Sequence, residues 1–484
     1  MQFKHTPARI AASFDDPNLV SAAGVVPVMR VAERAGLSRF ADEHLTVPGD
    51  KGANAGGKLF SLIAGMVCGA DSIEDMHLLR HGGMPKLFAR VYAPSTLGSF
   101  LRTFTFGHVR QADAVASRFL QGLTIGAPGL LHAADGERVM IDIDDSVIGV
   151  YGYQKQGAGR GYTGVNGLNS FIATASTTAS APVIVAQRLR KGAAHSARGA
   201  ARLIGDAVKT TKRAAAASNA SGPPVRVLLR ADSAYYSHDA IQAARKGGAE
   251  VSVTVRQNAS IRAAIARIPE EAWTEIVYPN VIRDEVTGEL IRGAEVAEIE
   301  YTAFATKQVK KSTKEGETAP FIGPVTGRLI VRRVKELNPK RLNQPTLFDT
   351  WRFHAFFTTV EQSEADTVTA DQQHRRHAII EQVHADLKSS ALAHLPSGKF
   401  TANAAWLVAA VMAFNLTRAA AVVADQGGKL QKATTGTIRR ALVHVAARLA
   451  SSARKIVLHL PERWPWETAW QRLFARSVAP PGAA

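Results

Sequence analysis

Two short apolar segments, each running into aspartate, constrain the fold of this chain more than any other feature. Residues 139–145 alternate apolar and acidic side chains and end on Asp144 and Asp145, and a period of two residues indicates a β-strand. A second apolar segment, 225–230, runs into Asp232. Helical periodicity lies between and after these segments, at 195–217 and 238–246. Strands that feed helices predict an α/β fold.

The chain divides into five regions by pattern. Residues 1–135 are mostly helical with basic residues between short helices, which suits either a DNA-binding domain or a plain helical cap. Residues 136–256 carry the strands and helices just described. Residues 257–365 are rich in strand patterns, and 366–425 and 426–484 are predicted to be helical. The elements predicted in the strand-rich region are strands at 273–278, 296–304, 328–334 and 352–359, and a polar loop at 307–320.

The charge balance points to a polyanionic partner. Among 484 residues, 59 Lys and Arg oppose 41 Asp and Glu, which gives a net charge of +18. Each basic side chain near a phosphate releases a condensed counterion, so an excess of this size favours nucleic acid over an anionic lipid surface.

Cysteine usage and hydropathy argue against a disulfide-stabilised secreted protein and against a membrane-spanning protein. Cys68 is the one cysteine, so the chain cannot form an internal disulfide or a thiolate metal cluster. No uncharged apolar stretch reaches the roughly 20 residues that span a bilayer. Residues 402–416 come closest, but Asn403 and Asn415 interrupt them. The sequence therefore predicts a soluble cytoplasmic protein.

The aspartates at the strand ends are candidate metal ligands. Asp142 and Asp144 are two residues apart, so a strand places both carboxylates on one face. Their mutual repulsion is relieved by a cation, and oxygen ligands suit a divalent ion such as Mg²⁺. Asp232 ends its own strand, where α/β proteins place ligands. A solvated strand end for Asp144 and a helix cap for Asp232 are the simpler alternatives.

The segment 374–388 is more informative than the two segments that end in aspartate. As a helix it places Ile379, Ile380, Val383 and Leu387 on one apolar stripe. A different face carries an acid flanked by bases: His374, His377, Glu381, His384 and Lys388. The acid can bind a metal ion and the bases can hold phosphates, although an amphipathic surface helix has the same pattern. A zinc site of the three histidines is disfavoured because no HExxH motif is present.

Together these blocks resemble the DDE transposases of bacterial insertion sequences. The resemblance is to the group with a Tyr-x2-Arg-x3-Glu-x6-Lys signature, and in detail to the insertion-sequence "thirteen-eighty" branch. It covers nearly the whole chain, and residues 138–420 are its specific part. The blocks that carry it are 142–148, 161–164, 229–235, 352–358, 381–388 and 414–416.

The resemblance implies a role for each residue of these motifs. Asp144, Asp232 and Glu381 would be the catalytic acids that hold two Mg²⁺ ions, for which Mn²⁺ can substitute. Asp142 shares a strand face with Asp144 and stays an alternative for the first acid. Lys388 matches the signature lysine. The side chains expected to contact DNA phosphates are Lys388, His377, His374, Arg375 and Arg376.

The signature is matched with two departures. His374 stands where the family has Tyr, and His377 stands where it has Arg. Histidine still donates a hydrogen bond to a phosphate, but it carries full charge only at lower pH. Arg375 and Arg376 are placed to supply the missing charge.

The resemblance also implies a fold and a function. The fold would be an RNase H-like catalytic core in two parts, 136–256 and 366–425, with a β-rich insertion at 257–365 between them. The enzyme would bind terminal inverted repeats as a dimer, cleave them, and join their 3′ ends to target DNA. Two alternatives stay open: an RNase H-like nuclease that only hydrolyses, and an inactive relative that only binds DNA.

Overall fold

A computed structural model describes residues 9–151, 154–161, 163–218, 223–283, 290–305, 323–335, 351–452 and 455–479. The polar loop predicted at 307–320 lies outside these ranges.

The region before the first long strand is helical, as predicted. A short strand, β1 (Leu19–Val20), precedes the helices α1 (Val25–Arg34), α2 (Leu37–His44), α3 (Ala55–Val67), α4 (Pro94–Arg102) and α5 (Phe106–Gly126). Gly36 separates α1 from α2. Gly36 has φ +83°, a left-handed conformation that glycine adopts without a Cβ penalty, so α2 begins on a new axis.

A mixed sheet forms the centre of the molecule. Its first strands are β2 (Arg138–Gly149), β3 (Gly159–Arg160), β4 (Asn166–Ser176), β5 (Val183–Lys191), β6 (Arg226–Ala231) and β7 (Glu250–Thr254). The helices α6 (Ala200–Ser218) and α7 (His238–Lys246) connect β5 to β6 and β6 to β7. The strands lie in the order β5-β4-β2-β6-β7, with β2, β6 and β7 parallel and β4 antiparallel to its neighbours.

The strand-rich region extends this same sheet. Helix α8 (Ala259–Ile265) leads to β8 (Thr274–Arg283), β9 (Leu290–Ala303), β10 (Val325–Lys335) and β11 (Trp351–Thr358). The four predicted strands are thus confirmed. Strand β11 pairs antiparallel with β7, with Phe356 opposite Thr254, and β10, β9 and β8 follow outward.

The segment 374–388 is broken rather than one continuous helix. Helix α9 (Thr367–Arg375) ends in a short 3₁₀ turn over Arg376–Ala378, and α10 (Ile379–Lys388) begins after it. The turn contains neither proline nor glycine, so contacts with the sheet, and not a local helix breaker, set the break. Those contacts use His374, near the end of α9, and His377, inside the turn.

A long apolar helix lies in the core. Helix α11 (Phe400–Ala424) is long and apolar enough to cross a membrane, yet its most apolar window is entirely buried inside the protein. Asn415, which interrupts the apolar pattern, bonds both backbone groups of Ile184 on β5. Its side chain therefore joins the core helix to the edge of the sheet.

The prediction of a wholly helical C-terminal region needs correction. After α12 (Thr435–Ile438), the chain forms β12 (Ala447–Ser452) and β13 (Lys455–His459) before α13 (Glu467–Val478). Strand β12 pairs with β13 and also with β1, where Val20 lies opposite Ala447. Residues 456 and 457 are the β-branched Ile and Val, a local strand signal. The partner β1 lies more than 400 residues earlier in the chain, so no local pattern reveals it.

Candidate active site

The carboxyl ends of β2 and β6 bring Asp144 and Asp232 to one edge of the sheet. The two strands are parallel, and Ile143 on β2 lies opposite Ala231 on β6. The next residue is Asp144 after β2 residue Ile143 and Asp232 after β6 residue Ala231. The Asp144 side chain is 26% exposed and that of Asp232 is 62% exposed. Burial raises the pKa of Asp144 to about 6, and the charges of Asp232 and Asp145 add to the effect.

Asp142 lies on the same strand but is fully occupied by other side chains. It is buried, and Arg230 lies directly opposite it on β6. Arg230 donates from Nε to Oδ1 and from Nη2 to Oδ2, both at 2.7 Å. His377 Nδ1 lies 3.0 Å from Oδ1. Both carboxylate oxygens of Asp142 therefore have protein partners.

His377 connects the buried aspartate to the exposed one. Its Nδ1 contacts Asp142, while its Nε2 lies 3.8 Å from Asp232 Oδ1. Burial opposes the charged form of the ring, but the hydrogen bond with Asp142 and the charges of Asp142 and Asp232 outweigh it, so the pKa of His377 is raised. The two carboxylates therefore favour the charged form of the ring.

His374 contacts strand β7. Its Nδ1 lies 2.8 Å from the Ser252 hydroxyl and its Nε2 lies 3.0 Å from the Thr254 hydroxyl. The ring also stacks on Phe356, with centroids 4.0 Å apart. Burial lowers the pKa of His374 to about 3. The ring is therefore neutral at physiological pH, and both of its nitrogens have partners within the protein.

His384 and Lys388 lie on α10 near Asp144. His384 is buried, and its Nε2 lies 3.9 Å from Asp144 Oδ2 without a hydrogen-bond partner. Burial lowers the pKa of His384 to about 4, so the ring is neutral. Burial also lowers the pKa of Lys388, and the charge of Asp144 opposes that shift. The signature lysine therefore lies within the electrostatic reach of the first aspartate.

The remaining predicted residues lie at the start of α10 and just before it. Glu381 is exposed in the first turn of α10, and Arg376 is exposed in the turn before it. Arg375 donates from Nε to Asp371 Oδ2 at 2.8 Å. Across the ranges that the structure describes, no three His, Cys, Asp or Glu side chains form a ready-made metal site. The three predicted acids are therefore not gathered around a single point.

A buried polar network supports the site from the other face of β2. Asp145 accepts hydrogen bonds from the Tyr235 hydroxyl and from Asn169, and Arg190 Nη2 lies 2.9 Å from its Oδ2. Tyr235 also stacks on Phe171, with centroids 5.4 Å apart. Because Tyr235 follows Asp232 by one short turn, this network fixes the Asp232 loop against the end of β2.

Sequence reasoning missed both supporting arginines. Arg230 lies in an apolar strand and Arg190 near the end of another, and both are buried. A charged side chain in an otherwise apolar strand requires a buried partner of opposite charge. That signal could have assigned Asp142 to a structural ion pair, because Asp142 also lies within an apolar strand.

The donor atoms at this edge suit a divalent cation. Asp144 and Asp232 offer hard carboxylate oxygens, which Mg²⁺ and Mn²⁺ prefer. The unpartnered Nε2 of His384 is a neutral nitrogen that faces Asp144, and imidazole nitrogen is a common metal ligand.

Comparison with known families identifies the family of this chain. Residues 4–478 match the family described as transposase DDE domain group 1, and the chain belongs to that family. Membership implies a transposase, an enzyme of the nucleotidyl-transfer and nuclease class that acts on DNA, and such enzymes generally use divalent metal ions. No curated protein matches the chain.

Proposed function

We propose that this protein is a DNA transposase that cleaves the ends of an insertion sequence and joins the freed 3′ ends to target DNA. The observation that carries the proposal is the meeting of Asp144 and Asp232 at adjacent strand ends, with the helix that bears Glu381 and Lys388 beside them. It would act in the bacterial cytoplasm, on the nucleoid.

The strand order supports an RNase H-like core. The five strands β5-β4-β2-β6-β7 include three parallel strands and one antiparallel hairpin. In this interpretation 136–256 and 366–425 form the core, and 257–365 is an insertion whose strands extend the core sheet from β7. The helical regions 1–135 and 426–484 flank it, and the first of these is the proposed DNA-binding domain.

We assign the catalytic acids to Asp144, Asp232 and Glu381. Two divalent ions, when bound, would activate the attacking oxygen and stabilise the leaving oxygen. Asp144 is preferred to Asp142 because Arg230 and His377 already occupy both Asp142 oxygens. Glu381 lies on the exposed first turn of α10.

The other residues of the site would either bind DNA phosphates or position the catalytic acids. Lys388 is a cation within reach of Asp144, and Arg375 and Arg376 are cations that precede α10; we assign all three to contacts with DNA phosphates. His377 lies between Asp142 and Asp232, which favour its charged form, and its role in this proposal is to position Asp232. His374 is neutral and bonded to Ser252 and Thr254, so its role is to fix the end of α9 on the sheet.

The net charge of +18 supports DNA as the partner, because basic side chains neutralise phosphates. The protein would bind terminal repeats and target DNA at the same time. Pairing of two ends would require a synaptic dimer. The DNA that flanks the gene supplies the candidate end sequences.

The test is a strand-transfer assay on a labelled duplex that carries such an end. Donors with a 3′-hydroxyl and donors with a 3′-deoxy terminus are compared in Mg²⁺ with supercoiled target DNA. Joined product from the 3′-hydroxyl donor alone is expected. Cleavage without joining would replace the transposase by a hydrolytic nuclease, and binding with neither reaction would identify an inactive DNA-binding relative.

A further inference from the structure

A cavity of about 780 Å³ lies on the side of α10 opposite Lys388 and His384. Its volume is within the range typical of small-molecule sites. Four cationic side chains line it, and no Asp or Glu does so among the described residues. The cations are Arg230, Arg376, Arg418 and Lys432.

Arg418 is the strongest sign that this cavity takes an anion. Its side chain comes from the core helix α11 and is only 6% exposed. Its Nη1 donates to the Ala433 carbonyl, whereas its Nε has no hydrogen-bond partner. Its nearest carboxylate oxygen, on Asp386, is 3.7 Å from Nη2. That carboxylate already accepts hydrogen bonds from the backbone N–H and the hydroxyl of Thr435. The buried guanidinium is thus incompletely compensated, which is costly unless a further anion binds.

The other walls of the cavity are apolar or carry hydroxyl groups. Met140, Ile379 and Val383 form an apolar surface. Ser176, Thr177 and Thr178 lie at the end of β4 on the rim. A free phosphate ion would fill only a small part of the volume, whereas a nucleotide places its phosphate on the cations and its base on the apolar wall.

We propose that this cavity binds one nucleotide through its phosphate. The nucleotide is either free or part of a single DNA strand that leads away from the acids. Phosphate binding here does not depend on the transposase assignment; only the choice of a DNA strand as its source rests on the proposed function. Arg230 lines the cavity and also pairs with Asp142, so the ligand would lie one side chain away from the Asp142–His377–Asp232 chain.

Calorimetric titration in EDTA tests the proposal without any cleavage. The ligands are deoxyadenosine 5′-monophosphate, deoxyadenosine as the control without phosphate, and a single-stranded six-nucleotide DNA. The proteins are the wild type, the double variant Arg376→Gln/Lys432→Gln, and Arg418→Met. Arg472→Gln is the matched control, since Arg472 is an exposed cation on α13, which does not line the cavity.

We expect the wild type to bind a phosphorylated ligand, and the double variant to bind it at least about tenfold more weakly, with Arg472→Gln unchanged. Binding of both phosphorylated ligands supports a nucleotide pocket open to free nucleotides, and binding of the oligonucleotide alone supports the strand as source. Equal affinity of the double variant and the wild type would overturn the proposal, as would no binding of either ligand or equal binding of deoxyadenosine. The double variant changes exposed side chains, so the test stands even if Arg418→Met does not fold.

Failure here and failure of the proposed function are distinguishable. A wild-type protein that binds no nucleotide in EDTA would overturn the pocket alone, whatever the wild-type strand-transfer assay shows. Conversely, a chain that neither cuts nor joins DNA can still bind the mononucleotide in EDTA.

Discussion

Arg230 and Asp142 form a buried two-point ion pair between neighbouring parallel strands, with two hydrogen bonds of 2.7 Å. Arg230 also donates to the backbone carbonyl of Gln373, in the helix that leads to the 3₁₀ turn. The pair therefore joins β2, β6 and α9 directly beneath the proposed acids. It also explains why Asp142 is unsuited to bind a metal.

Loss of Arg230 should destabilise the protein strongly. Arg230→Met leaves the Asp142 carboxylate buried without its main partner, and we expect a loss of about 3 to 5 kcal/mol in the free energy of unfolding. Urea denaturation followed by circular dichroism measures it. The control is Arg226→Met on the same strand, whose ion pairs are 40% exposed on the arginine side and should contribute under about 1 kcal/mol. Equal losses for the two variants would contradict a special role for the buried pair.

The Tyr235 hydroxyl should contribute to both stability and activity. Tyr235→Phe removes one hydrogen bond to buried Asp145 but keeps the stack on Phe171. We expect a loss of about 1 to 2 kcal/mol in unfolding free energy, and slower DNA cleavage because the Asp232 loop is less well fixed. Tyr236→Phe, which keeps its stack on Phe304, is the control. Unchanged cleavage in Tyr235→Phe would exclude the positioning role.

The raised pKa of Asp144 gives a pH dependence of stability with an unusual sign. The ionised form is penalised by burial in the folded protein, where the pKa is about 6 against an ordinary value of 3.8. This loss of folding stability is absent below pH 3.8, grows between pH 3.8 and about pH 6, and is complete above pH 6. Metal-free Asp144→Asn should therefore be more stable than the wild type at pH 8, by roughly 2 to 3 kcal/mol, and close to it at pH 4.

Thermal denaturation in EDTA at the two pH values measures this difference. Asp239→Asn is a suitable control, because Asp239 is an exposed carboxylate on α7. A variant that is destabilised equally at both pH values would show that Asp144 is not under electrostatic strain in the metal-free protein.

His384 should contribute to metal affinity without contributing to stability. Its Nε2 is buried and unpartnered, so His384→Leu should leave the unfolding free energy unchanged or slightly higher. If the nitrogen serves as a ligand beside Asp144, the same variant should bind Mn²⁺ about tenfold more weakly. Electron paramagnetic resonance titration of free Mn²⁺ measures the affinity without turnover. A destabilised variant with unchanged Mn²⁺ affinity would assign His384 to the core alone.

Much of the sheet could be predicted from the sequence, because its strands are marked locally. Apolar alternation predicts β2, an apolar segment predicts β6, and local strand patterns predict the four strands β8 to β11. The pairing of β11 with β7 and of β12 with β1 could not be predicted. Both pairings join segments far apart in the chain, and local periodicity carries no information about such partners.

The resemblance selected Asp144, Asp232, Glu381 and Lys388, and their catalytic and DNA-binding roles stay predictions. The structure places Asp144 and Asp232 at one sheet edge, and the contacts around them could not be predicted from the sequence. The two histidines that depart from the signature could not be assigned from spacing. His374, near the end of α9, contacts Ser252, whereas His377, inside the 3₁₀ turn at Arg376–Ala378, contacts Asp142.

Metal-dependent cleavage by variants of the three acids tests the central claim most directly. Asp144→Asn, Asp232→Asn and Glu381→Gln are compared with the wild type on a labelled end duplex in Mg²⁺, with DNA binding measured in parallel in EDTA. The control is Glu361→Gln, an exposed acid outside α9 and α10. Each of the three variants is expected to bind DNA but to lose cleavage by at least about a thousandfold, while the control cleaves normally. Cleavage at the wild-type rate by Asp232→Asn or Glu381→Gln would show that these acids are not the catalytic site.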